Sequence, residues 1–490
     1  MEHLDVLVVG AGLSGVGAGY YLQAECPWAD FAVFEARDSI GGTWDLFRYP
    51  GIRSDSDMFT LGYSFRPWDG EKAIADGASI LQYIKDTARE TGVEKHIRFN
   101  HKIIAADWST DDARWVVTAH RSDTNETFQL TANFIYGCTG YYRYDQGYTP
   151  DFAGQADFKG TVVHPQQWPE NLDYAGKKVV VIGSGATAIT LIPSLAKEAA
   201  HVTMLQRSPS YIVSMPAKDP LANLVRRVLP SSLGGPLIRW VRAMTTQGSY
   251  FLSKRNPDLV KSVLRRQVTR QLPKGYDVAT HFTPTYNPWD QRLCLVPNGD
   301  LFQAISDGSA SVVTDRIVRF TETGILLESG AELEADIIVT ATGLEVLFIG
   351  GMTVTVDGDA VDPTEKLTYK GMMVNDVPNF AVALGYTNAS WTLKVDLTSA
   401  YVTKLLNHMH ETGLRQCMVD ASNAVVTDKP LFNLASGYIT RAAGRMPKQG
   451  ASFPWQVKQS YLADYRAMKL AGIHDDVMRF SNPTRESVDA

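Results

Sequence analysis

The chain has 490 residues, 44% of them hydrophobic and 20% charged, which is length and apolar content enough for two or three domains with buried cores. A formal net charge of -6, with no long run of Lys or Arg, argues against a nucleic-acid partner. Cys26, Cys138, Cys294 and Cys417 are scattered without CxxC or zinc-type spacing, so neither a disulfide framework nor a structural metal site is expected, and a reducing compartment is.

The first apolar stretch, Val6 to Leu22, follows Glu2 and Asp5 where a cationic leader region would lie, and glycines punctuate it. It reads as a strand over Asp5–Val9, a turn over Gly10–Gly15 and a helix over Val16–Ala24, followed by a second strand over Phe31–Phe34. No segment has the roughly 18 uninterrupted apolar residues that a membrane span needs, and the cytoplasm is the expected location.

Gly10-Ala11-Gly12-Leu13-Ser14-Gly15 fits G-x-G-x-x-G between that strand and helix. Glycines there allow a tight turn, close approach of the backbone to a pyrophosphate and close helix packing, and the helix N-terminus offers free N–H donors. Glu35 ends the second strand, 20 residues beyond Gly15, where an acid meets a ribose hydroxyl. The paired glycines Gly41 and Gly42, with Thr43 and Trp44, follow at once and suit a second backbone approach to a bulky cofactor. The loop alone does not separate FAD from NAD; the arrangement resembles that of flavoproteins, which implies FAD here, with Gly10, Gly12, Gly15, Glu35, Gly42, Thr43 and Trp44 around it.

Further along, Phe134–Tyr136 runs into the turn Gly137-Cys138-Thr139-Gly140. The βαβ order then returns with Lys178–Ile182, the loop Gly183-Ser184-Gly185-Ala186-Thr187-Ala188, a helix over Ile189–Ala199 and a strand over Val202–Leu205. Arg207 lies 22 residues after Gly185, where Glu35 lies 23 after Gly12. A guanidinium in that place can hold a 2′-phosphate that an acid would repel, so NADPH rather than NADH is the expected second cofactor. Its candidate residues are Gly183, Ser184, Gly185, Thr187, Ala188, Arg207 and Ser208; the alternative is that Arg207 is only an exposed strand-end cation.

From Ser214 to Pro288 the pattern turns helical, with helices expected over Leu221–Leu229, Pro236–Met244 and Leu259–Leu272. Ile337–Val339 then runs into Thr340-Ala341-Thr342-Gly343, and the tail holds helical stretches over Ser399–His410 and Trp455–Leu470. The expected class is α/β, with two Rossmann-like dinucleotide-binding domains and an inserted helical subdomain. Residues 1–145 with 375–490 would bind FAD, residues 146–213 with 289–374 would bind NADP, and residues 214–288 would form the insertion.

Between the two units, Phe158-Lys159-Gly160-Thr161-Val162-Val163-His164-Pro165-Gln166-Gln167-Trp168-Pro169 reads F-x-G-x-x-x-H-x-x-x-W-P. This resembles the fingerprint of type I Baeyer–Villiger monooxygenases, as does Gly41 to Asp55 around Tyr49-Pro50-Gly51. Tyr286 to Phe302 is similar to the ethionamide-activating subgroup, and the resemblance spans residue 1 to about 400. It implies an FAD-dependent, NADPH-consuming enzyme that places one oxygen atom of O2 beside a ketone carbonyl to give an ester or lactone, with sulfides as secondary targets. It further implies Arg292 as the cation that holds developing oxyanions, Asp55 as the carboxylate behind it, and a structural or gating role for Phe158, Gly160, His164, Trp168 and Pro169. Family relatives often carry a base before the catalytic arginine, where this chain has Gln291.

Two rival readings stand beside it. N- or S-oxygenating flavin monooxygenases share F-x-G-x-x-x-H but usually lack the ending seen at Trp168-Pro169, and a nucleotide-binding redox sensor would lack turnover. A disulfide reductase would need a close cysteine pair after the first unit, which is absent. His164 is a tempting general base, but its place in a linker favours the structural role. Trp391 and Trp455 are candidates to cover the flavin or line the pocket, but a tryptophan is more often core or interface than cofactor contact, and both stay outside the expected site. The oligomeric state is left open.

Overall fold

A computed structural model describes residues 1–432 and 434–483, so residue 433 and residues 484–490 of the expected FAD unit lie outside the described residues. The strand Glu2–Val9 sits near the middle of a nine-stranded sheet, parallel to Phe31–Phe34 on one side and to Glu126–Gly137 on the other. Val6, Leu7 and Val8 are fully buried, which is why this strand reads as a continuous apolar run rather than an alternating one. On its side away from Glu2–Val9, the long strand Glu126–Gly137 serves two neighbours. Its first half pairs antiparallel with Arg114–Arg121, and its end pairs parallel with Phe380–Val382.

The second sheet has five strands, all parallel, in the order Ala310–Thr314, His201–Gln206, Lys178–Ile182, Ile337–Thr340, Thr161–Val163. The fold is thus α/β, with two Rossmann-like units. One stretch departs from the expected boundaries: Thr353–Val356 and Asp359–Ala360, expected in the second unit, hydrogen-bond into the first sheet beside His101–Ser109. Short strands carry no signal for which sheet edge they will join, and the chain has crossed back by Thr353 rather than after residue 374.

Three longer helices fill most of the insertion, Pro220–Val228, Ser231–Arg255 and Pro257–Gln271, ahead of the short helix Val278–Phe282. The middle one is far longer than the expected Pro236–Met244, because the helix runs back through two glycines that propensity alone would exclude. Packing overrides it there: a Cβ on Gly235 would lie 2.7 Å from Pro67 Cγ. Arg239 anchors the same helix by a buried 2.7 Å ion pair to Asp396 and by donating to the carbonyls of Thr60 and Gly62. In the tail, the expected Ser399–His410 lies within the helix Trp391–Thr412, which packs on Leu13–Glu25. Helix over Trp455–Leu470 starts only at Tyr461, since Trp455 and Val457 are tied to the strand Lys448–Gly450 by hydrogen bonds through Gly450 and Gln449. All four cysteines are free and buried.

Candidate active site

A cavity of about 760 Å³ lies between the two units. The first glycine loop forms one wall. Gly15 is dictated by packing alone, since a Cβ there would meet the Gly10 carbonyl oxygen at 1.7 Å. Gly12 and Gly42 instead pack backbone to backbone in the cavity wall; Gly42 has φ +56, and a Cβ on it would lie 3.1 Å from Gly12 Cα. The helix Leu13–Glu25 begins at Gly12 with no side-chain cap, so its first-turn N–H groups remain available to an anion. Glu35 is fixed beside this loop: Ala11 N donates to Oε2 at 2.7 Å and Arg37 N to Oε1 at 3.0 Å. Burial pushes its carboxyl up from the ordinary value despite those donors. Thr43 and Trp44 line the same cavity, and the Thr43 hydroxyl meets that of Tyr144 at 3.3 Å.

The segment from Tyr49 to Asp55 crosses to the second unit. Gly51, at φ +78, packs so closely that a Cβ would lie 2.0 Å from Ser194 Oγ, and Arg53 pairs with Asp300. Two residues later Asp55 forms an ion pair with Arg292, Oδ2 to Nε 2.7 Å. The guanidinium reaches the cavity wall, its Nη1 donating to the Thr387 carbonyl at 3.4 Å. Burial works against its charge, but the Asp55 carboxylate together with Tyr141, Tyr438 and Tyr142 outweighs this, and the arginine stays cationic at any working pH.

In the second loop, Gly183 has φ +135 and its Cβ would lie 2.4 Å from the Ala341 carbonyl oxygen, whereas Gly185 has nothing within 4 Å. Open space at the middle glycine, before an uncapped helix Ala186–Leu195, suits a phosphate-bearing ligand. The Ser184 hydroxyl donates to the Ser208 carbonyl at 3.0 Å, holding the loop to the end of the next strand. Arg207 stands exposed at that end, with no ion-pair or hydrogen-bond partner among the described residues. Thr187 lines the large cavity with Ala186. Gly183, Ser184, Gly185, Arg207 and Ser208 lie outside its lining, and Ala188 is core.

The fingerprint segment does not reach the cavity. Phe158 is buried against Phe320, a Cβ on Gly160 would lie 2.3 Å from the Asp336 carbonyl oxygen, Trp168 packs half-buried in the second unit's core and Pro169 is exposed. His164 Nδ1 accepts from Gln166 N at 3.2 Å, which leaves Nε2 to donate to the Gly343 carbonyl at 3.1 Å. The neutral ring therefore ties the fingerprint to the turn that ends Ile337–Thr340, and burial lowers its pKa.

Residues 73–361 match the family described as flavin-binding monooxygenase-like, and residues 8–67 match an NAD(P)-binding Rossmann-like domain. The chain belongs to the flavin-binding monooxygenase-like family. It is 53% identical over 98% of both chains to the FAD-containing monooxygenase EthA of Mycobacterium tuberculosis. It is 49% identical, over the full length of each, to the putative FAD-containing monooxygenase MymA of the same organism. Among solved structures, a steroid monooxygenase bound to NADP aligns with a TM-score of 0.78 over 98% of this chain and 99% of that one, at 21% identity. OTEMO in complex with FAD and NADP aligns with a TM-score of 0.71 over 85% of this chain and 86% of that one, at 22% identity.

This flavin-binding monooxygenase has cavity residues that its motifs do not announce. Arg37 lines the wall and pairs with Asp45 at 2.7 Å. Tyr141 stacks on Trp391 at 5.2 Å, and the Trp391 indole donates to Ser14 Oγ at 2.8 Å, so this tryptophan joins the tail to the first glycine loop. Trp455, by contrast, is core. The run of tyrosines directly after the Gly137–Gly140 turn was the available signal for the aromatic wall.

Proposed function

We propose that this flavin-binding monooxygenase is an FAD-dependent, NADPH-consuming Baeyer–Villiger enzyme, inserting one oxygen atom of O2 beside a ketone carbonyl to give an ester or lactone, with sulfoxidation as a side activity. The observation that carries the reading is the 2.7 Å Arg292–Asp55 pair on the wall of the cavity that the first glycine loop and Thr187 also line. The names of relatives that contain FAD, and of solved neighbours that bind FAD and NADP, support the choice of cofactors.

When bound, the flavin supplies oxygen transfer and the nicotinamide supplies the reducing equivalents. The residues divide the remaining work. Gly12 and Gly42 admit a pyrophosphate, Glu35 accepts from a ribose hydroxyl, and Arg207 with Ser208 takes the 2′-phosphate. Arg292 would present a permanent charge to the oxyanion that develops on the carbonyl oxygen of a ketone substrate. Asp55, by occupying Nε, fixes which edge of the guanidinium faces inward. The Tyr141 and Trp391 rings make an apolar wall that suits a ketone and keeps water from the reacting atoms. The division into an FAD unit, an NADP unit and a helical insertion belongs to the same proposal.

Purified holoenzyme, given linear and phenyl-substituted ketones and alkyl aryl sulfides, tests the reading through ketone-dependent NADPH oxidation and a product one oxygen heavier. Ester from ketone is the expected result. Sulfoxide without any ester would transfer the enzyme to the N- or S-oxygenating class, and NADPH oxidation unaffected by every substrate would leave a redox sensor.

A further inference from the structure

Away from the cavity, the helical insertion carries a surface that oxygenation does not use. Among the described residues, ten of the eighteen exposed large apolar side chains lie between Leu221 and Val263. Single exposed leucines are ordinary, but such clustering marks an interaction surface. On the 25-residue helix Ser231–Arg255, the exposed Leu233, Leu237, Val241, Phe251 and Leu252 fall within about 100° of arc at 100° per residue. That row runs most of the helix's length, about 37 Å. The flanking helices repeat the arrangement: Leu221, Leu224 and Val228 share one face of Pro220–Val228, and Leu259 and Val263 share one face of Pro257–Gln271. Both pack against the long helix.

The charge is as uneven as the apolar exposure. Between Pro220 and Gln271 there are ten Lys or Arg and one Asp, net +9, in a chain of net charge -6, so the remainder carries -15. Arg239, Arg242, Lys254 and Lys261 are held by carboxylates, and Arg226 donates to the carbonyls of Asp69 and Gly70. Arg227, Arg255, Arg265, Arg266 and Arg270 are exposed and out of salt-bridge reach of any carboxylate among the described residues. Arg266 and Arg270 share the outer face of their helix with Leu259 and Val263, so cations and aliphatic side chains present together.

We propose that this three-helix insertion docks the enzyme on an anionic phospholipid bilayer, lying flat, with the apolar rows in the acyl boundary and the arginines among the headgroups. Charge complementarity selects this occupant. A second copy would set +9 against +9, and a nucleic acid would neutralise the arginines while leaving the Leu, Val and Phe rows in water. No helix among the described residues is long and apolar enough to cross a membrane, which agrees with a flat interfacial attachment. The long helix also touches the segment that bears the catalytic arginine: Tyr250 meets Trp289 edge to face at 5.7 Å, and Lys254 pairs with Asp290 at 2.9 Å.

The test floats FAD-loaded full-length enzyme with vesicles of phosphatidylcholine mixed with phosphatidylglycerol, and with vesicles of phosphatidylcholine alone. Salt-sensitive binding to the mixed vesicles is expected, with little to the neutral ones. Two variants separate the forces: R265E/R266E/R270E and L233S/L237S/V241S should each lower partitioning about tenfold or more. Both should keep the wild-type melting temperature and turnover of a water-soluble ketone, because none of these side chains is buried or lines the cavity. Wild-type enzyme that fails to float with the mixed vesicles overturns the proposal, as do variants that float as well as wild type. Loss of a dimer in the serine variant without any lipid flotation would assign the face to a second copy. Duplex DNA bound at the same salt, and released by the arginine variant alone, would assign it to nucleic acid.

Discussion

At the scale of single residues, two arginines take opposite postures. Arg292 is fixed by Asp55 and faces the cavity, whereas Arg207 faces solvent with no side-chain partner among the described residues. A fixed charge aimed at a developing oxyanion acts mainly in the transition state. Arg292→Ala should therefore lower ester formation by about 100- to 1000-fold or more, the range seen when one such stabilising group is removed. Anaerobic reduction of the bound flavin by NADPH should remain measurable in a stopped-flow trace, and ester formation at the wild-type rate would exclude the role. Arg207 carries a binding role, so Arg207→Ala should raise KM for NADPH by about 10- to 100-fold, as for a lost charge-assisted hydrogen bond, and change KM for NADH little. Equal changes for both nucleotides would remove the 2′-phosphate assignment. Arg207 stood out in the sequence because a strand end and a count from Gly185 located it. Arg292 did not, because its partner Asp55 is more than two hundred residues away in the chain and only family resemblance connected them.

Among the elements, both βαβ units were legible because their chemistry is local: a glycine loop, a strand before it and an uncapped helix after it. The close approach of Gly42 to Gly12 was legible only as a pair of glycines, since nothing in the sequence says which backbone they face. It makes a strong test of the cradle. A Cβ on Gly42 would be strained at φ +56 and would sit 3.1 Å from Gly12 Cα. Gly42→Ala should cost about 1–2 kcal/mol in backbone strain, push the Gly12 loop out of place and lower the flavin-to-protein absorbance ratio of the purified enzyme, with the circular dichroism spectrum unchanged. A full complement of flavin in this variant would show that the cofactor does not lie against the two glycines. The long insertion helix was less legible. Gly234, Gly235 and Pro236 argue against a helix locally, and only contact with the strand-rich unit, through Pro67 and the Arg239–Asp396 pair, makes it favourable.

For the whole molecule, the fingerprint turns out to act beside the chain's crossing between the two units: Gln166 Nε2 donates to the carbonyls of Arg143 and Tyr144 in the first, while His164 ties together segments of the second. F-x-G-x-x-x-H-x-x-x-W-P signalled a linker, but its tertiary partners, Gly147 and Gly343, had no mark in the sequence. A Cβ on Gly147 would lie 1.9 Å from His164 Cε1, so the ring is clamped while Gly343 and Gln166 take its two nitrogens. Protonation would turn Nδ1 from acceptor to donor against the Gln166 N–H, and burial also disfavours the charge, so the folded pKa lies below the ordinary 6.5. The sign follows from that depression: the stability this histidine contributes is complete above its unfolded value and is lost as pH falls through the folded one. His164→Ala should then be destabilised by about 1–3 kcal/mol near neutral pH, with two polar groups left unpaired. The gap in melting temperature between wild type and variant should narrow as the pH is lowered towards about 5. A gap that stays constant or widens on acidification would refute the neutral tie. A general base would behave differently, because its loss should cut kcat by about 100- to 10,000-fold with the melting temperature preserved. The geometry sets the opposite expectation, since both ring nitrogens are occupied by backbone and neither faces the cavity that Arg292 lines.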